Sequence, residues 1–135
     1  MANQVHPLLI TLFKRLYISP GCTYSSNSQC LIYNEDPVRR DGYIYIKIRR
    51  GRKVKSASVQ RVCAMIHSGT LELGKVDASH LCHNKLCVNP NHISLESRAT
   101  NCSRKSCVLA GVCLRHPKGD GTFYPDCLLS LNLPS

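Results

Sequence analysis

Residues 76–107 read VDASHLCHNKLCVNPNHISLESRATNCSRKSC, and their texture differs from everything that precedes them. Cys82, Cys87 and His92 are separated by four residues and again by four. Asn89-Pro90-Asn91 interrupts any continuous helix through this set, because proline lacks a backbone donor and pushes the residue before it out of helical conformation. A chain that bends there can wrap three ligands around one ion, and tetrahedral zinc then requires a fourth. Cys30 is the expected fourth ligand, with Cys22 as the fallback. Further along, Cys107, Cys113, His116 and Cys127 form a second quartet, with Gly and Pro between the last two. Four such ligands suit a second structural zinc. Cys102 competes for a place in that quartet, since spacing alone does not rank the candidates.

Nine Cys and six His among 135 residues point either to disulfides or to metal, and the compartment decides between them. The apolar run at 8–13 (LLITLF) is cut by Lys14 and Arg15, and no small-residue cleavage site follows. A nuclear or otherwise intracellular, reducing setting is therefore expected, and a secreted disulfide-linked protein is the disfavoured reading. An odd number of Cys also leaves one unmatched in any full disulfide pairing. No stretch approaches the length needed to span a membrane.

The formal net charge is +10, and it is concentrated. Between Arg39 and Arg61 there are nine Lys or Arg and one acid, nine minus one giving +8. A block of that density suits nucleic acid, because each neutralised phosphate releases condensed counterions. The same block is the start of a strand pattern: Ile44, Ile46 and Ile48 alternate with Tyr43, Tyr45, Lys47 and Arg49, which predicts a half-buried strand. Arg50-Gly51 predicts a turn and Lys53-Val54-Lys55 a return strand, so Tyr43, Tyr45, Lys47, Arg49, Lys53 and Lys55 are the candidate DNA contacts on a β-ribbon able to enter a major groove. Ser58 predicts the N-cap of a helix with a Val59, Val62, Cys63, Ile66 stripe, ended by Gly69. Earlier, Leu9, Leu12, Phe13, Leu16 and Tyr17 predict a short amphipathic helix over 7–17, followed by a Ser/Gly/Pro/Asn-rich loop over 18–29.

His80 stands apart from the ligand sets. It lies two positions before Cys82 at the end of an expected short strand, and a neutral imidazole is suited to take a proton from water near neutral pH. His83 is close enough to be confused with it, or to stand in for His92. The pattern SHLCHN...C...NP.H..LES....N, carried by Ser79 to Asn84, Cys87, Asn89, Pro90, His92, Leu95 to Ser97 and Asn101, resembles the His-Cys box homing endonucleases, a branch of the ββα-metal (His-Me finger) nucleases. The resemblance spans residues 30–127 and is densest over 76–107.

That resemblance implies roles. His80 would activate the attacking water, Asn101 would bind one magnesium ion through its side-chain oxygen, and an arginine on the hairpin would contact the scissile phosphate. Alignment without gaps puts Arg52 there, with Arg50 and Arg61 as alternatives. Two departures stand out. The loop from Cys107 to Cys113 is shorter than the family's, with the remaining ligands shifted to His116 and Cys127. The family dimerises through a long exchanged C-terminal tail, whereas only LLSLNLPS follows Cys127, which leaves a two-fold dimer that cuts both strands or a monomer that nicks.

The expected fold is thus α+β: a small zinc-stabilised single domain over 1–135, with a twisted antiparallel sheet and a ββα-metal motif. It comprises an N-terminal helix and loop (1–29), the basic hairpin and helix (30–75), the active site with the first zinc (76–107) and the second zinc loop (107–127). The expected activity is magnesium-dependent hydrolysis of double-stranded DNA, with two structural zincs, in an intron-encoded or other mobile-element setting. A non-catalytic zinc-dependent DNA-binding module is the alternative.

Overall fold

In the computed structural model, which describes residues 5–129, the first element is helix α1 (Pro7–Tyr17). Proline is tolerated in a first turn because its missing N–H would have no partner there, and His6 Nδ1 accepts the Leu8 amide at 3.0 Å. Leu9, Leu12 and Leu16 are its buried face.

The expected loop over 18–29 contains a strand. Residues Cys22–Ser25 (β1) pair antiparallel with Cys30–Tyr33 (β2), in the register Cys22↔Tyr33 to Ser25↔Cys30. Thr23 and Tyr24 carry the β preference there, masked in the sequence by the Ser- and Asn-rich turn that follows.

The basic hairpin forms as expected from Tyr45–Arg50 (β3) and Lys53–Ser58 (β4). Its turn is Gly51-Arg52, not Arg50-Gly51, because Arg50 pairs with Lys53. Gly51 takes φ 63, which glycine adopts without steric penalty at the first position of such a turn. Ser58 caps α2 (Val59–Ser68) by accepting the Arg61 amide, and Gly69 closes it at φ 73. Ile46 and Ile48 pack with the α1 leucines, Tyr33, Val59, Val62, Met65 and Val88 into the main apolar core. Cys63 is a fully buried member of it.

The second half is built differently. Strands β5 (Asp77–His80) and β6 (Ile93–Glu96) pair antiparallel and lead into α3 (Arg98–Ala110), capped by Ser97. This is a ββα unit with a metal-rich loop between its strands. Charge replaces apolar packing beneath it: Arg104, 2% exposed, donates to both oxygens of Glu96, 1% exposed, at 2.5 and 2.8 Å. Burial alone would raise the Glu96 pKa; the hydrogen bonds and charge of Arg104, joined by hydrogen bonds from Ser79 and Ser94, together outweigh it and hold the carboxyl below its ordinary range.

The α+β class, the antiparallel pairing and the ββα unit are those expected. The strands, however, are divided among three two-stranded ribbons and do not form one sheet. No helix among the described residues is long and apolar enough to cross a membrane. From residue 130 the C-terminal tail, on which the choice between dimer and monomer turned, lies outside the described residues.

Candidate active site and two zinc centres

Cys30 opens β2, Cys82 and Cys87 lie in the loop after β5, and His92 ends a short 3-10 turn over Pro90–His92. Their ligand atoms all fall within 4.8 Å of one another, and all four residues are buried. His92 Nδ1 is 3.6 Å from Cys30 Sγ and 3.5 Å from Cys87 Sγ. A tetrahedron with Zn–S near 2.3 Å and Zn–N near 2.05 Å has an S···N edge of about 3.6 Å, so the donor set fits zinc in both chemistry and size. The Cys87 thiol is drawn down to about 5, chiefly by the hydrogen bond from the Cys82 thiol and against the effect of burial. Backbone bonds lace the loop to β2: Val88 N to Leu31 O at 2.7 Å and Tyr33 N to Leu86 O at 2.9 Å.

Cys107, Cys113, His116 and Cys127 form the second cluster, again with ligand atoms within 4.8 Å. His116 Nε2 lies 3.3 Å from Cys107 Sγ and 3.7 Å from Cys127 Sγ. Its ring is oriented from behind: Ser103 Oγ donates to the Thr100 carbonyl at 2.6 Å, so the 2.9 Å contact with His116 Nδ1 must be a bond donated by the ring. That leaves Nε2 as a lone pair facing the thiols. Cys22 and Cys102 belong to neither cluster. All nine cysteines are free of disulfides. The two clusters fit two structural zinc sites, and the chain is a zinc-stabilised domain of nuclease type.

His80 ends β5 and is 9% exposed. Its Nε2 lies 2.8 Å from the Cys87 carbonyl oxygen, which can only accept, so Nε2 carries the proton and Nδ1 is the free lone pair. Burial holds the imidazole below its ordinary 6.5, which keeps it neutral. Asn101, on the first turns of α3, lines the same cleft, together with Gln60, His83 and Lys85. Its carboxamide is held at both ends: Oδ1 accepts from Ser79 Oγ at 2.6 Å, and Nδ2 donates to Asp77 Oδ2 at 3.2 Å.

The structure brings His80 and Asn101 together but leaves Arg52 apart. Arg52 occupies the hairpin turn, is exposed, and does not line the cleft, whereas the expected turn at Arg50-Gly51 would have placed it at the start of the return strand. Arg50 pairs with Glu72 at 3.3 Å, and Arg61 donates to the Val76 and Gly74 carbonyls at 2.5 and 2.9 Å. The six candidate DNA contacts also divide. Tyr45, Lys47 and Arg49 pair with Ser58, Ser56 and Val54 on the outer face of the ribbon, whereas Lys53 and Lys55 pair with Arg50 and Ile48 on the face turned towards α2. Tyr43 precedes the strand and lines the cleft, with Lys85 Nζ 4.7 Å from its ring centre.

Two side chains escaped the reading by motif: Asp77, which grips Asn101, and Arg104, which is buried against the Glu96 of the motif. A signal for the first was present, since Asp77 and Ser79 sit two apart in a strand and so share a face.

Against known families, residues 29–131 match the family described as the zinc-binding loop region of homing endonuclease. The chain belongs to this family, the His-Cys box homing endonucleases. No curated protein and no solved structure matches it significantly.

Proposed function

We propose that the chain is a magnesium-dependent DNA endonuclease, acting as a single domain inside the cell. The observation that carries this reading is the pairing, in one cleft, of a neutral imidazole with its Nδ1 free and a carboxamide whose two ends are fixed by Ser79 and Asp77. His80 Nδ1 takes the proton from the attacking water, while the Cys87 carbonyl steadies the imidazolium through Nε2. Asn101 Oδ1 keeps one lone pair beyond the Ser79 bond and would hold magnesium, an ion that suits a site with one protein ligand because it dehydrates reluctantly. Bound there, magnesium supplies Lewis-acid stabilisation of the charge that develops on the scissile phosphate and the leaving 3′ oxygen. In-line attack leaves 5′-phosphate and 3′-hydroxyl ends.

The DNA path follows from continuity. Tyr43, Gln60, Ala78 and Asn101 line both the cleft and the adjoining groove that reaches Tyr45 and Ser56 on the outer face of the hairpin. Lys47 and Arg49 continue that face. Replacing both by alanine is expected to weaken binding and to lower the slope of log K against log salt by about 1.8, two phosphate contacts at about 0.9 each. The pair Lys53→Ala and Lys55→Ala, on the opposite face, should change the slope less. Fluorescence anisotropy across a salt series measures both, and equal slopes for the two double variants would count against this face.

The deciding experiment is cleavage of supercoiled plasmid by zinc-loaded protein with added Mg²⁺. Wild type should nick or linearise it, and His80→Ala and Asn101→Ala should each lose about a hundredfold or more in rate while retaining DNA binding and zinc. A wild-type protein that binds DNA yet cuts no member of a site library would instead be a zinc-dependent DNA-binding module.

A further inference from the structure

We propose that Asp77 is a positioning residue for the metal-binding carboxamide: its carboxylate fixes which end of Asn101 faces the ion. This rests on the reading of Asn101 as the magnesium ligand. A carboxamide can turn about its last torsion, exchanging oxygen for nitrogen within nearly the same shape, and only its hydrogen-bond partners decide between the two. Ser79 does not decide. Its hydroxyl lies 2.6 Å from Asn101 Oδ1 as a donor, but a hydroxyl also accepts, so it could serve either end of the amide.

Asp77 does decide. Its ionised carboxylate is acceptor-only, and its Oδ2 lies 3.2 Å from Asn101 Nδ2, so the NH₂ end is the only one that can face it. The oxygen is thereby turned away, with one lone pair taken by Ser79 and the other available to a cation. Asp77 is itself held on β5, and Arg98 Nε lies 3.6 Å from the same carboxylate oxygen. Asp77, Asn101 and Arg98 line one groove, so the carboxylate borders the space in which the ion and its waters would sit. Second-sphere carboxylates act in this way on metal-bound imidazoles, and their loss typically lowers metal affinity tenfold or more.

The test separates orientation from charge. Mn²⁺ is titrated into zinc-loaded protein bound to a short duplex, in a His80→Ala background that keeps the DNA intact, and free ion is counted by electron paramagnetic resonance against the duplex alone. Asp77→Ala, which lets the amide turn, should weaken Mn²⁺ binding about tenfold. In an Asn101→Asp background, where both ends of the side chain are oxygen and orientation no longer matters, Asp77→Ala should no longer weaken Mn²⁺ binding. With His80 restored, the Mg²⁺ concentration for half-maximal cleavage should move in parallel. Zinc content and metal-free DNA affinity should be unchanged throughout, which a merely structural defect would not allow. Unchanged Mn²⁺ affinity in Asp77→Ala, with Asn101→Ala weakened, overturns the proposal and leaves the nuclease reading standing. A loss from Asp77→Ala that persists in the Asn101→Asp background overturns it too, because charge and not orientation would then be the contribution. Asn101→Ala without effect on Mn²⁺ removes the metal reading beneath it.

Discussion

Removing zinc will unfold this protein. The first cluster is itself a core: Cys30, Cys82 and Cys87 are fully buried, and among the described residues only Ile32 and Leu128 pack against them as partly buried apolar neighbours. Of the described residues in β5, β6 and α3, Ile93 is the one that packs against the main apolar core, so the metal clip between β2 and the 82–92 loop takes much of the place that leucines fill under α1. Structural zinc contributes on the order of 10–16 kcal/mol of apparent binding free energy at neutral pH. A domain of ordinary size is stable by about 5–15 kcal/mol in total. Loss of even one ion therefore removes an amount comparable with the whole. Circular dichroism and thermal melts before and after chelation, and on Cys82→Ser, should show loss of the cooperative transition, with re-addition of Zn²⁺ restoring it in the wild type alone. A metal-free protein that still melts cooperatively at its original temperature would contradict this.

Substituting Arg104 by methionine should destabilise the protein by about 3–5 kcal/mol, the cost typical of leaving one charge of a buried pair without its partner. Arg104 does more than neutralise Glu96. Its guanidinium also donates to the Pro125 carbonyl at 3.0 Å and to Cys127 Sγ at 3.2 Å, tying the ββα unit to the second zinc cluster. The double variant Arg104→Met with Glu96→Leu should recover much of the loss, because the orphaned carboxylate is then gone. Denaturant unfolding of the zinc-loaded single and double variants provides the comparison. Equal stability of the two would mean that the contacts to Pro125 and Cys127, and not the ion pair, carry the effect.

The residues that were legible in the sequence are those whose signal is local. α1, the isoleucine face of the hairpin, the Ser58 and Gly69 caps and the Cys/His spacing each declare themselves within a few residues, and the structure assembles both clusters from the residues chosen. What was hidden depends on partners distant in the chain. β1 is written in polar residues and exists because β2 pairs with it. Arg52 looked like a strand residue until the pairing of Arg50 with Lys53 placed it in the turn. Lys53 and Lys55 share a composition with Lys47 and Arg49 but not a face, and only the ladder shows it. Glu96 stood in the motif without a role and Arg104 outside it, since nothing in their spacing reveals that both are buried against each other. Asp77 gains its meaning from Asn101, which lies on another element.

One residue, Cys87, serves two neighbours at once: its sulfur joins the first zinc cluster and its backbone oxygen accepts the hydrogen bond from His80 Nε2. Side-chain scanning sees only the sulfur. Every substitution at this position keeps the carbonyl, so a mutational map would score Cys87 as a metal residue and miss its hold on the imidazole. The two duties come apart only in a chain whose backbone is altered there, for instance with an ester in place of the amide that follows Cys87, which weakens the carbonyl as an acceptor and leaves the thiol, while also removing the Val88 N–H that bonds Leu31.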